Sequence, residues 1–175
     1  RLSQVRTILL DANHGVEFSE WMVTNESPEG FGLMHIAGAT TQLRIGDIVA
    51  IQAIDDAGLA TRQWQICMVR WATSENPEHV ELGLQQIASD AEPIEAIIGN
   101  ETNPTRHGGL LLAPAPPLRT KPTLILPPVL KGAYPIKAVV VGGNNNLAIR
   151  EVALTGLFEQ TEHFEIFNVE AVEKP

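Results

Sequence analysis

The chain has little cysteine, few aromatic residues and too few basic residues to balance its acidic ones. Of its 175 residues one is Cys and 5% are aromatic, and 12 Lys and Arg face 21 Asp and Glu, for a net charge of −9. A single cysteine excludes an internal disulfide framework. The acidic balance excludes a general nucleic-acid binder, because such a protein needs a clustered positive surface to displace counterions from phosphate. An anionic ligand therefore requires a local basic exception.

Long hydrophobic runs are also lacking. No apolar run approaches the roughly 20 residues of a membrane-spanning helix, and no signal-peptide core is visible. The lone Cys67 lies in an apolar run over residues 64–69, which predicts a small buried core residue without a disulfide partner. These features predict a cytoplasmic protein with no membrane span. The chain opens on Arg1 rather than Met, which predicts a fragment or a processed product.

Turn-forming residues, by contrast, are plentiful. The chain holds 14 Gly and 12 Pro within a composition that is 44% apolar, which suits many short strands joined by turns and gives enough apolar surface for a core. Alternating or apolar segments predict strands at residues 16–23, 31–37, 43–51, 64–71 and 80–84. Strands at hairpin spacing within about ninety residues predict a small barrel, whose closure removes exposed sheet edges.

The second half of the chain is also predicted to be β-rich. Residues 85–98 are ambiguous, because a short helix could begin there and Pro93 would interrupt it. Residues 147–158 could form a strand or an amphipathic helix, and the hairpin context favours a strand. The prediction is an all-β chain with a barrel domain at residues 1–98, a polar, breaker-rich linker at 99–109 and a second β-rich module at 110–175.

The most informative stretch is the turn over residues 25–33, which reads NESPEGFGL. Asn25 and Ser27 tolerate or cap irregular backbone, and Gly30 and Gly32 permit positive φ and the close approach of a bound group to the main chain. Such a turn can present ligands. It is also what a tight hairpin held by side-chain to backbone bonds would need.

Read as Asn-x-Ser-x-x-Gly, Asn25, Ser27 and Gly30 resemble the second signature of PilZ domains, Asp/Asn-x-Ser-x-x-Gly. Later features follow in a similar order up to about residue 90: a Gly-Asp turn before a core strand, then Val-Arg-Trp, then Leu-Gly-Leu, at residues 45–49, 69–71 and 82–84. The resemblance implies a small β-barrel that binds the bacterial second messenger cyclic di-GMP at this turn and through an N-terminal Arg-x-x-x-Arg segment.

Arg1 and Arg6 are the arginines available for that first signature. Guanidinium groups suit phosphate oxygens and guanine edges and can stack on purine faces. The two arginines are separated by four residues rather than three, so either the register changes or Arg1 is the second arginine of a pair that begins upstream. The plain alternative is a frayed, solvated terminus. The resemblance implies that Arg1 and Arg6 clamp the ligand over the turn.

Patterns typical of enzymes and metal sites are missing from the sequence. The five histidines stand far apart with no Cys or carboxylate at ligand spacing, and there is neither a nucleophile elbow nor a phosphate loop. Glu26 and Glu29 form a solvated pair that would repel phosphate. Arg70, beside Trp71, is predicted to stack on an indole in a structural role. We predict no catalytic residue, no metal site and no cofactor.

The sequence therefore predicts a non-enzymatic sensor or adaptor in which cyclic di-GMP orders the N-terminal segment and changes protein contacts. One alternative is a degenerate PilZ-like module that binds no nucleotide and acts through exposed apolar or proline-rich surface, such as residues 113–117. Another makes the C-terminal half a small-ligand or carbohydrate-binding β-domain. The protein partner and the oligomeric state stay open.

Overall fold

The computed structural model describes residues 4–9, 18–40, 43–76, 78–100, 102–128, 135–142 and 147–172. This part of the chain contains twelve strands and no helix, so no described segment is a helix that could cross a membrane. The chain divides into two units, Arg1–Asp90 and Ala91–Pro175. Each unit is a closed barrel of six antiparallel strands, which confirms the all-β prediction.

The first barrel follows the order β1-β2-β3-β6-β5-β4, and β4 pairs with β1 to close it. Closure leaves every strand with two partners, so no edge is exposed. The predicted Gly-Asp turn before β4 is present, with Gly46 at a φ of 90° and the Asp47 carboxylate accepting a bond from the Arg44 amide at 2.7 Å. Its strands are β1 (Gln4–Leu9), β2 (Phe18–Ser27), β3 (Gly30–Gly38), β4 (Ile48–Ile54), β5 (Ala60–Asn76) and β6 (His79–Ala88).

The core of the first barrel is formed by alternate residues of its strands. Trp21 is its largest member; its indole N–H donates to Ser19 Oγ at 2.8 Å, and its ring meets His35 edge-on. Residues 66–69 of β5 are all buried, as expected of a strand covered on both faces. Cys67 is among them, and the prediction of a buried free thiol is confirmed. Burial raises the pKa of that thiol to about 12.

The second barrel follows the order β7-β8-β9-β12-β11-β10, with β10 pairing with β7 to close it. Its core is aliphatic around Phe167, with Leu124, Leu126 and Leu154 fully buried. The strand predicted near residues 147–158 is confirmed as β11. The six strands are β7 (Ala91–Ile98), β8 (Thr105–Leu112), β9 (Thr123–Leu126), β10 (Ile136–Gly142), β11 (Ala148–Gln160) and β12 (Glu165–Ala171).

The boundary between the barrels lies earlier than the sequence predicted. Strand β7 pairs with β8 and β10, so residues 91–98 belong to the second barrel rather than to a domain at 1–98. The predicted linker at 99–109 is corrected as well: its first part is the β7–β8 hairpin turn, with Gly99 at a φ of 116° and Asn100 capping the Asn103 amide, and its remainder is β8. The possible helix at 85–98 is replaced by strand.

The two barrels share one connectivity. When strands are numbered from the first of each unit, both barrels run 1-2-3-6-5-4 around the closed sheet, with every neighbouring pair antiparallel. The β8–β9 connection of the second barrel therefore corresponds to the β2–β3 turn of the first. In the same way, β11 and β12 correspond to β5 and β6.

Candidate functional site

The PilZ-like signature lies at the tight turn between β2 and β3. Ser27 and Gly30 are paired across the two strands, and two residues form the turn. Ser27 Oγ accepts a hydrogen bond from the Glu29 amide at 3.3 Å, so the serine stabilises the turn locally. Asn25 lies exposed near the end of β2, and no hydrogen bond of its side chain is found within the part of the chain that the structure describes.

Gly30 is required by close packing rather than by its φ. Neither Gly30 nor Gly32 has a positive φ, so that part of the sequence interpretation was wrong. A Cβ on Gly30 would lie 1.8 Å from the backbone carbonyl oxygen of Leu84, and the Gln86 amide of the same strand donates to the Glu29 carbonyl at 2.8 Å. The glycine thus allows β6 to come up against the turn.

Strand pairing brings the middle of β5 to the same place. Strand β3 pairs with β6, which places Gln85 beside Gly30. Strand β6 in turn pairs with β5, where Trp71 faces Gly83. The result is a surface depression of about 320 Å³ shared by the turn and both strands. The buried Phe31 lines it, together with the exposed side chains of Asn25, Ser27, Glu29, Arg70, Trp71 and Gln85.

Trp71 provides the aromatic surface of this depression. Its side chain is 44% exposed, unlike the buried Trp21. A Cβ on Gly83 would fall 1.8 Å from the indole Nε1, so the ring occupies the space that any other residue at position 83 would fill. A half-exposed indole held in this way can stack on a planar base, and such stacking is commonly worth about 1–3 kcal/mol per base.

Arg70 is the cation of the depression. The sequence interpretation had given it a structural role, as a partner for an indole ring. Its side chain is exposed, and its Nε donates to Gln85 Oε1. A guanidinium is a planar group with five N–H donors, which suits a phosphate or a guanine edge. The signal available in the sequence was a basic residue next to an indole, in a half of the chain that holds few basic residues.

The described residues do not show either N-terminal arginine beside the turn. Arg1 lies outside the described residues. The backbone of Arg6 lies in β1, paired with Glu20 of β2 and Gln52 of β4. Glu20 precedes Asn25 by five residues of strand, roughly 17 Å at 3.4 Å per residue. The ligand-clamping role of Arg1 and Arg6 stays a prediction.

This arrangement suits binding. It combines an indole face, a guanidinium, two amides, a hydroxyl and one carboxylate on an open surface. Among the described residues, no three His, Cys, Asp or Glu side chains are grouped to hold a metal ion. Glu29 disfavours phosphate at its own end of the depression, so an anionic group is best accommodated on the Arg70 side.

Comparison with known proteins identifies the family of the first barrel. Residues 10–93 match the family of the middle PilZ domain of the cyclic-di-GMP receptor FimW. The cyclic-di-GMP receptor FimW of Pseudomonas aeruginosa is 27% identical over 145 residues, which cover 81% of this chain and 23% of the relative, so the chain spans less than a quarter of that relative's length. The solved inhibitor of motility MotI/DgrA of Bacillus subtilis aligns over 98% of this chain and 90% of its own, with a TM-score of 0.32 and 8% identity. The N-terminal half of this chain is a PilZ domain.

Proposed function

We propose that the chain is a non-enzymatic cytoplasmic sensor whose first barrel binds cyclic di-GMP in the depression beside the β2–β3 turn. One observation carries the proposal: the three signature residues share a single surface depression with a guanidinium and a half-exposed indole. The similar receptor FimW is named for the same nucleotide, which supports the choice of ligand.

The lining offers partners for the base and the phosphates of this nucleotide. We propose that Trp71 stacks on a guanine face and that Arg70 bonds phosphate oxygens or the guanine O6 and N7 acceptors. The Asn25 amide can donate and accept at a base edge. The Glu29 carboxylate, which repels phosphate, can accept from the N–H donors of guanine. These roles keep the phosphate on the Arg70 side of the depression, away from Glu29.

The N-terminal segment is proposed to complete the site. Arg1 and Arg6 are the proposed clamps, and the backbone of Arg6 is paired on both sides within the barrel. Ordering of the segment on the nucleotide would change the surface offered to a protein partner. This is the step at which binding becomes a signal.

Calorimetric titration with cyclic di-GMP tests the proposal. We expect micromolar or tighter binding, weakened about tenfold or more by Arg70→Gln, since loss of a charge-assisted hydrogen bond typically costs about 1.5–3 kcal/mol. Arg62→Gln is the matched control, because Arg62 is an exposed arginine of the same strand outside the depression. Asn25→Ala should weaken binding in the same direction. Equal binding by Arg70→Gln and Arg62→Gln would contradict the site.

The alternative is a module that binds no nucleotide and works through protein contacts. It is favoured by the exposure of the proline-rich segment at residues 113–117, followed by Leu118 with 70% of its surface exposed. It is also favoured by Ser27, whose hydroxyl already accepts a bond from the turn. Absence of binding heat in a chain that is folded by circular dichroism would support this alternative.

A further inference from the structure

The second barrel has a depression at the position that corresponds to the site of the first. Its β8–β9 connection takes the place of the β2–β3 turn, and β11 and β12 take the places of β5 and β6. These three elements enclose about 350 Å³, lined by residues 117–121 of the connection, Thr155 and Phe158 of β11, and Asn168 of β12. The same order of strands has produced a second concavity in the same part of the fold.

The lining of this second depression repeats the chemical types of the first. Phe158 is 45% exposed, and its strand β11 corresponds to β5, which carries Trp71. Thr120 and Thr155 supply exposed hydroxyls, and Asn168 supplies a half-buried amide. An exposed ring beside hydroxyl and amide groups suits a planar base with a polar edge.

The connection is held in place by its own arginine. Arg119 is only 5% exposed and donates through Nη2 to the Ala113 carbonyl at 2.8 Å. The backbones of Ala115 and Arg119 exchange two hydrogen bonds, of 2.7 and 3.0 Å. Lys121, which follows, is exposed and forms an ion pair with Glu170 of β12. Because exposed ion pairs are weak, a phosphate can replace that carboxylate at the Lys121 ammonium.

The charge of this region favours an anion more than the first site does. The ten residues from 113 to 122 include Arg119 and Lys121 and no carboxylate. The corresponding turn of the first barrel carries Glu29. Residues 91–175 as a whole hold seven Lys and Arg against nine Asp and Glu, whereas residues 1–90 hold five against twelve. The second barrel is therefore the less repulsive of the two toward phosphate.

We propose that the second barrel carries a nucleotide site of its own in this depression. Phe158 stacks on the base, Asn168 bonds the base edge, and Lys121 together with Thr120 binds the phosphate. The inference rests on the shared connectivity and on this lining, and it does not require the first site to be occupied.

The test is a titration of the full chain with cyclic di-GMP, and in parallel with GMP, observed by two signals. Backbone amide shifts in nuclear magnetic resonance spectra report both barrels. Tryptophan fluorescence reports the first barrel, since all three tryptophans of the sequence lie in residues 1–90. With at least one of the two nucleotides, we expect saturable chemical-shift changes at the Thr120, Lys121 and Asn168 amides. These changes should occur whether or not the tryptophan fluorescence of the first barrel is quenched.

Variants distinguish a ligand-binding role from a structural one. Phe158→Ala and Lys121→Gln should each weaken the response of the second site about tenfold. Glu170→Gln should tighten it severalfold, because it removes the carboxylate that competes for Lys121. Ile149→Ala, an exposed residue of β11 outside the depression, should leave binding unchanged.

The two proposals fail separately in this experiment. A silent first barrel with saturable shifts at Lys121 and Asn168 would overturn only the proposed function and would support the second site. If neither nucleotide shifts those amides at millimolar concentration, the second site is overturned, whether or not the first barrel binds. Unchanged binding in both Phe158→Ala and Lys121→Gln would overturn it as well.

Discussion

The two barrels have the same connectivity, yet the corresponding connections differ in length and in charge. In the first barrel two residues join β2 to β3, and one of them is Glu29; in the second, ten residues join β8 to β9 and include Arg119 and Lys121. Both connections border a depression that is completed by the fifth and sixth strands. The comparison shows that strand order sets where a concavity forms, while the connecting sequence sets which chemical groups line it.

The cores differ in a related way. The first barrel buries Trp21, whose indole N–H needs an acceptor and finds it in Ser19. The second buries Phe167 among aliphatic side chains, and a phenyl ring needs no such acceptor. The apolar cluster around Phe167 therefore depends mainly on shape and buried apolar area, and its response to truncation should follow burial.

The largest expected effect is on that second core. Phe167→Ala should lower the free energy of unfolding by about 3–5 kcal/mol, because it removes a fully buried ring and leaves a cavity. Urea denaturation followed by circular dichroism measures the loss. Phe158→Ala, which truncates a half-exposed ring of the same barrel, should cost far less. Equal losses in the two variants would mean that burial does not distinguish these rings.

The next effect concerns the turn of the first barrel. Gly30→Ala should destabilise the chain by about 1–3 kcal/mol, because the added methyl group would lie 1.8 Å from the Leu84 carbonyl oxygen. Gly108→Ala in β8 is the control, since nothing lies within 4 Å of a Cβ there. A shift of the urea midpoint in Gly30→Ala alone is the expected result. Similar midpoints for both variants would contradict the close packing of β6 on the turn.

A smaller effect separates binding from stability in the first barrel. Gly83→Ala should displace the Trp71 indole, which is exposed enough to move, and weaken cyclic di-GMP binding about tenfold while stability falls by less than it does in Gly30→Ala. Calorimetry and urea unfolding of the same samples measure the two quantities. Unchanged affinity would show that the position of the indole does not matter for the ligand.

The smallest effect depends on pH and on the single cysteine, which only the first barrel contains. Burial raises the pKa of Cys67 from its ordinary value of 9.0 to about 12, so the folded chain keeps the thiol proton at pH values where the unfolded chain loses it. The thiol's contribution to the free energy of unfolding is constant below pH 9. As the pH rises above 9 the free energy of unfolding falls, by roughly 1 kcal/mol at pH 10. Unfolding of Cys67→Ala should lack this part of the slope, and an identical slope in both chains would contradict the burial of the thiol.

Much of the local structure could be predicted from the sequence, because alternation and turn residues are local signals. The strands on both sides of the Asn25 turn, the Gly-Asp turn at Gly46 and the buried Cys67 belong to this class. The boundary at residue 90 could not be predicted, because the sequence pattern of residues 91–98 does not indicate which barrel this strand pairs with. Strand partners are chosen by non-local contacts, which a polar turn at 99–105 does not reveal.

Only some residues of the candidate site could be picked out from the sequence. Asn25, Ser27 and Gly30 were visible as a motif because they are adjacent in sequence. Arg70 and Trp71 lie forty or more residues further along and reach the turn only through the pairing of β3 with β6 and of β6 with β5. The PilZ resemblance directed attention to the N-terminal arginines, while the cation that shares the depression with the turn is Arg70 of β5.

The central claim is that the turn and Trp71 form one nucleotide site in the first barrel. Its most direct test is tryptophan fluorescence during titration with cyclic di-GMP, because Trp71 is exposed in the depression, Trp21 is buried, and Trp64 is half-buried and outside the depression. We predict saturable quenching in the micromolar range, and in Trp71→Phe the loss of quenching with binding heat retained. A folded chain that shows neither quenching nor heat at millimolar nucleotide would contradict the claim.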